Sequence, residues 1–129
     1  MTNGAQLTLS QATINTSGTT SSTDNSSFCG LNAGVLDASG SSIDMSDSTV
    51  NTTGTSANGV FATSSGSSVS LSNVTINAIG NGAHGVMASA GGTLSLTDVH
   101  ITTTGASACS ALGGLAYSLS GGGSLVPVQ

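Results

Sequence analysis

The sequence predicts an all-β fold: a right-handed parallel β-helix of about four to five rungs of roughly 25 residues each, with residues 1–129 forming one domain. Three observations predict it. Four twelve-residue segments, Leu7–Gly18, Ile43–Gly54, Val69–Gly80 and Leu94–Gly105, align without a gap. Their closing glycines Gly54, Gly80 and Gly105 recur 26 and 25 residues apart. Within each segment apolar residues alternate with small polar ones, the period-two pattern of a half-buried strand.

The first half of each segment predicts strands near 7–9, 43–45, 69–71 and 94–96. The second half predicts strands near 13–16, 49–52, 75–78 and 100–103. Leu7, Leu9, Ala12 and Ile14 share one side, with the phase shifting at a polar corner near Gln11. Asn73 and Asp98 hold the same corner on later rungs, and both residue types tolerate turn geometry. β-branched residues favour strands. A single rung cannot bury its own apolar side, so stacked copies must share one core. Ile14, Val50, Ile76 and Ile101 then form an inward column with a spacing of about 4.8 Å.

A second matching block lies between the segments: Gly34-Val35-Leu36, Gly59-Val60-Phe61 and Gly85-Val86-Met87. A Gly/Ser turn follows each, at Ser39-Gly40, Ser65-Gly66 and Gly91-Gly92. Residues 19–29 and 113–120 interrupt the repeat and are expected to be loop insertions, the first of them exposed. Gly121-Gly122-Gly123-Ser124-Leu125 matches Gly91-Gly92-Thr93-Leu94, so a fifth rung is expected to begin at Leu125, in the place of Leu7.

Composition excludes several function classes. The chain has no Lys and no Arg, five Asp and a net charge of −5. Phosphate backbones and anionic membranes are held mainly by Lys and Arg, so neither nucleic acid nor a lipid surface is an expected partner. No apolar run reaches the length of about 18 residues that a membrane-spanning helix needs. Met1-Thr2-Asn3-Gly4 has neither the basic nor the apolar stretch of a signal peptide. Disorder is also excluded, because it needs low hydrophobicity with high net charge, whereas mean hydropathy is positive here.

The strings Asp24-Asn25-Ser26-Ser27-Phe28, Gly30-Leu31-Asn32-Ala33, Ala57-Asn58-Gly59-Val60-Phe61-Ala62 and Gly82-Ala83-His84-Gly85-Val86-Met87-Ala88 resemble a group of secreted microbial right-handed parallel β-helix repeat proteins. The repeat ending Ile101-Thr102-Thr103-Thr104-Gly105 is also similar to autotransporter passenger adhesins. The resemblance covers nearly the whole chain, most strongly residues 22–105, and implies an extracellular or cell-surface location. It supplies no active site. Pectate lyases resemble the chain in coil architecture but use an Arg base and usually Ca²⁺, and no Arg exists here.

Candidate chemistry is sparse. Asp44 and Asp47 could form the carboxylate pair of a glycosidase, but they align with Ser70 and Asn73, and with Ser95 and Asp98, so a polar wall and a corner account for them. His84 stands in the column of Asn58 and Cys109, and His100 in that of Thr13, Thr49 and Thr75. No catalytic residue, metal ligand or cofactor is expected, and no enzymatic turnover. Cys29 and Cys109 fall three rungs apart, on the order of 14 Å, too far for an intrachain disulfide; a disulfide between molecules stays open. Sequons at Asn15, Asn25, Asn51 and Asn73 are expected by chance in a chain this rich in Ser and Thr.

Two surfaces remain. The outward positions Thr13, Asn15, Thr49, Asn51, Thr75, Asn77, Thr102 and Thr104 form a flat grid that resembles the Thr-x-Thr faces of ice-binding β-solenoids and could also meet a repetitive polysaccharide. Outward β-helix positions favour Thr and Asn in any case, since such residues stack well in columns. The end strands, marked by Leu7 and Leu9 at one end and Leu125 and Val126 at the other, carry no evident cap. The preferred expectation is a homopolymer: copies stack end to end into an extracellular fibre with a rise of roughly 19 Å, four rungs at strand spacing. A stretch of a longer adhesin, with neighbouring rungs covering the same edges, is the competing expectation.

Overall fold

The computed structural model describes residues 2–19 and 29–106, and beyond them the backbone of three strands. In chain order the described strands are β1 (Gln6–Ser10), β2 (Thr13–Ser17), β3 (Val35–Asp37), β4 (Ser42–Ser46), β5 (Thr49–Thr53), β6 (Val60–Thr63), β7 (Ser68–Ser72), β8 (Thr75–Ile79), β9 (His84–Ser89), β10 (Thr93–Thr97), β11 (His100–Thr104), β12 (Cys109–Leu112), β13 (Tyr117–Ser120) and β14 (Ser124–Val128). They form three sheets of parallel strands with orders β1-β4-β7-β10-β13, β2-β5-β8-β11-β14 and β3-β6-β9-β12. Each strand pairs with the strand three places on in the chain, so the chain winds as a parallel β-helix.

Both predicted strand sets are present. The twelve-residue segments supply the first and second sheets, and the Gly-Val block supplies the third. The column Ile14, Val50, Ile76 and Ile101 is in register throughout. Val50, Ile76 and Ile101 are fully buried, and Ile43, Met45, Val69, Leu71, Leu94 and Leu96 join them in one continuous core. A further inward column, Thr16, Thr52, Ala78 and Thr103, admits hydroxyls. Thr52 meets this by donating Oγ1–H to the Ala57 carbonyl at 3.0 Å.

Two kinds of corner turn the chain. Gln11, Asp47, Asn73 and Asp98 all adopt left-handed backbone, with φ of 55°, 48°, 54° and 52°. That region costs least for Asn and Asp. Asn73 separates two acids in this stack and donates Nδ2–H to Asp47 Oδ1 at 2.7 Å, so no two carboxylates fall on adjacent rungs. The second corner is the glycine column. Gly80 sits at φ 151°, and a Cβ there would overlap the carbonyl oxygen of Gly54. Only a residue without a side chain lets the rungs close to strand spacing.

Strands β6 and β9 of the third sheet are buried on both sides. Val60, Ala62, Val86 and Ala88 enter the core. Phe61 and Met87 alternate with them and point away from it, yet they are 0% and 5% exposed. The chain closes over this side at Gly30, whose Cβ would lie 2.8 Å from Leu36 Cδ1 and 3.2 Å from Phe61 Cγ. Of the insertion 19–29, residues 20–28 lie outside the described residues. Cys29 is exposed, whereas Gly30 is buried.

The last rung corrects two expectations. Residues 117–120 are not part of a loop: Tyr117–Ser120 is the first-sheet strand of the fifth rung, with Tyr117 and Leu119 in register with Leu94 and Leu96. Leu125 does not take the place of Leu7. It pairs with Ile101, in the column of Ile14, and Val126 pairs with Thr102. The reason is spacing. Leu94 follows Val69 by 25 residues and Tyr117 follows Leu94 by 23, whereas Leu125 would follow by 31. Residues 113–116 and 121–123 lie outside the described residues.

Candidate functional site

The feature that stands out is the N-terminal edge. β1, β2 and β3 end the three sheets, and each pairs on one side only. Leu7 is 36% exposed, whereas its column partners Ile43, Val69 and Leu94 are 2%, 1% and 3% exposed. Leu9 and Ile14 are only half-buried while packing on the core. Inward apolar side chains and unpaired strand groups thus face the same opening, a template for another strand layer. At the opposite end β13, β14 and β12 terminate the sheets. Leu125 and Val126 lie on this edge, but above Ile101 and Thr102 rather than above Leu7 and Leu9. Among the described strands the third sheet ends one strand lower than the other two, which gives this edge a step.

The expected outward grid is assembled on the second sheet. Thr13, Thr49, Thr75 and His100 form one column; Asn15, Asn51, Asn77 and Thr102 a second; Ser17, Thr53, Ile79 and Thr104 a third. The middle column is a hydrogen-bonded ladder. Asn51 Nδ2 donates to Asn15 Oδ1 and Asn77 Nδ2 donates to Asn51 Oδ1, each at 2.8 Å. The amides therefore bind one another along the stack. Ile79 interrupts the third column and is 49% exposed, so the face is not a uniform hydroxyl grid. Asn51→Ala removes both ladder bonds and is expected to cost about 1–2 kcal/mol; Thr13→Ala, at an exposed position, should stay within about 0.5 kcal/mol. Thermal unfolding of the two variants checks this.

Other candidates are placed as follows. Asp44 is exposed in the middle of β4 on the outer side of the first sheet, and Asp47 is engaged at its corner by Asn73. Asp44 lines a shallow hollow of about 200 Å³ with Thr8, Ser46, Ser70, Ser72 and Thr97. His84 is buried in register with Cys109. Its Nδ1 has no hydrogen-bond partner, and burial holds its pKa below the ordinary histidine value. His100 is exposed in the column of Thr75. Cys29 is a free thiol.

Sequence reasoning missed one group. Asp37 on β3 is fully buried, alternating with inward Val35 and in register with Ala62. Extending the Val35, Val60 and Val86 alignment by two positions would have found it. Comparison with family models, curated proteins and solved structures finds no match to the chain.

Proposed function

We propose that the chain is a structural, non-catalytic β-solenoid of the extracellular surface whose copies stack end to end through the open N-terminal edge. The observation that carries this reading is the exposure of Leu7 beside its sealed column partners. A second copy is the favoured occupant, because both ends of the described stack present three parallel strand edges. Parallel strand pairing of the kind that joins successive rungs would then join successive molecules, a heterologous contact that propagates. Low charge, 4% of residues, leaves little repulsion to oppose it. The non-catalytic part is supported by the sealed His84, whose pKa burial lowers, and by the engagement of Asp47 with Asn73. The extracellular part rests on the resemblance of the repeat to secreted β-helix and autotransporter passenger proteins.

The step at the far edge changes the expected filament geometry. Fourteen described strands over three sheets make four and two-thirds turns. A copy turned by about a third of a turn sets β1 on β12, β2 on β13 and β3 on β14, leaving no gap. The rise is then about 22 Å at strand spacing, in place of the four-rung figure.

Sedimentation velocity over a concentration series, at about pH 4 and about pH 7, tests the reading. The native chain should assemble in at least one buffer, and Leu7→Lys, which places a charge on the edge at either pH, should stay monomeric while retaining its β-sheet circular dichroism. A native chain that is monomeric in both buffers, or a Leu7→Lys variant that assembles as well as the native one, contradicts it.

A further inference from the structure

Strand β3 closes the third sheet at the N-terminal end and pairs only with β6. Its inward residues are Val35 and Asp37. On the next two rungs the position of Asp37 is held by Ala62 and Ala88, so a carboxyl stands where the repeat otherwise places a methyl. Asp37 is 0% exposed, and neither carboxyl oxygen has a hydrogen-bond partner; the buried Ser41 hydroxyl beyond the next turn has none either.

Among the described residues, no titratable side chain of a neighbouring strand faces Asp37. β6 presents Val60, Phe61, Ala62 and Thr63, none titratable. β1 carries no titratable residue, and β4 carries Asp44, which is exposed on the outer side. The chain has no Lys or Arg, and its histidines lie on β9 and β11. Burial pushes the Asp37 pKa above the usual carboxylate value, while the Ser68 and Ala38 backbone groups act the other way.

An inward-pointing charge on an edge strand is one way a sheet refuses further pairing. The same group once protonated is neutral, a small polar side chain that an added rung can cover. We propose that Asp37 is an acid-operated gate on the N-terminal edge: protonated, it lets a second copy stack on the first rung; ionised, it blocks stacking. This rests on the assembly reading above and adds its regulation.

The sign follows from linkage. An acid whose pKa is raised in the folded chain contributes stability that is present below its unfolded value and lost as pH rises through the folded value. Covering the edge with another rung removes Asp37 further from water and raises the pKa again. Stacking therefore takes up a proton and weakens as pH rises.

The critical concentration for assembly of the native chain, followed by light scattering from about pH 4 to about pH 8, should rise at least about tenfold across that range, equivalent to one unit of pKa difference. Asp37→Ala, which copies the residue of the next two rungs, and Asp37→Asn should both assemble at the higher pH with that rise reduced. Asp44→Asn removes a charge from an exposed site and should follow the native chain. Circular dichroism establishes that each variant is folded, and the two Asp37 variants guard against one failing to fold. Assembly of the native chain independent of pH, or Asp37 variants that keep the native pH dependence, overturns the gate and leaves the stacking reading standing. No assembly of any variant at any pH overturns both.

Discussion

Gly80→Ala is expected to lower the stability of the chain by about 3 kcal/mol or more, a fall in Tm on the order of 10 °C. Two effects add. At φ 151° a residue with a side chain is strained by about 1–3 kcal/mol. The new methyl would also overlap the Gly54 carbonyl oxygen, so the two rungs must separate and lengthen hydrogen bonds on both sides. Gly40→Ala is the matched control. Gly40 also has positive φ, 75°, but the nearest atom to a Cβ is the Ser65 carbonyl oxygen at 3.9 Å, so only backbone strain of about 1 kcal/mol is expected. Thermal denaturation of the pair measures the difference. Equal effects would mean that the glycine column does not set rung spacing.

The second large effect separates rungs that look alike in sequence. Ile76 and Ile14 stand in one inward column, but Ile76 is 0% exposed and Ile14 is half-buried at the end of the stack. Ile76→Ala removes a side chain enclosed by Val50 below and Ile101 above. A loss of about 3–4 kcal/mol is expected, from transfer of the lost methylenes plus the cavity left behind. Ile14→Ala should cost about 1 kcal/mol in the monomer, since water already reaches the site. In assembled material Ile14 becomes an interior position, and the same change should raise the critical concentration. Urea unfolding of dilute monomer together with the assembly assay resolves the two contributions. A loss at Ile14 as large as at Ile76 in dilute monomer would mean that the first rung is already covered.

Much of this architecture is legible in the sequence because the repeat is nearly gapless. The inward column from Ile14 to Ile101 follows from alternation alone, and the corner residues Asp47, Asn73 and Asp98 announce their left-handed backbone. The far end was misread because Gly121-Gly122-Gly123 imitates Gly91-Gly92 in composition. Spacing was the better guide there: Tyr117 continues the period and Leu125 does not. The double-sided burial of the third sheet was not legible, since Phe61 is covered by a fold-back at Gly30 that no local pattern marks. The grid residues share the outer side of the second sheet, and the hydrogen bonding of Asn51 to both neighbours is a property of stacked rungs. Asp37 escaped notice because a single acid after Val35-Leu36 reads as the polar end of a strand until the register sets it beside Ala62.

The most direct test of end-to-end stacking is electron microscopy of the purified chain at about pH 4, at concentrations spanning those of the sedimentation series. The geometry predicts unbranched filaments with an axial rise of about 22 Å per molecule and a rotation of about a third of a turn, from four and two-thirds turns at strand spacing. Dispersed single particles at every concentration, or filaments whose rise matches no stacking of these rungs, would contradict it.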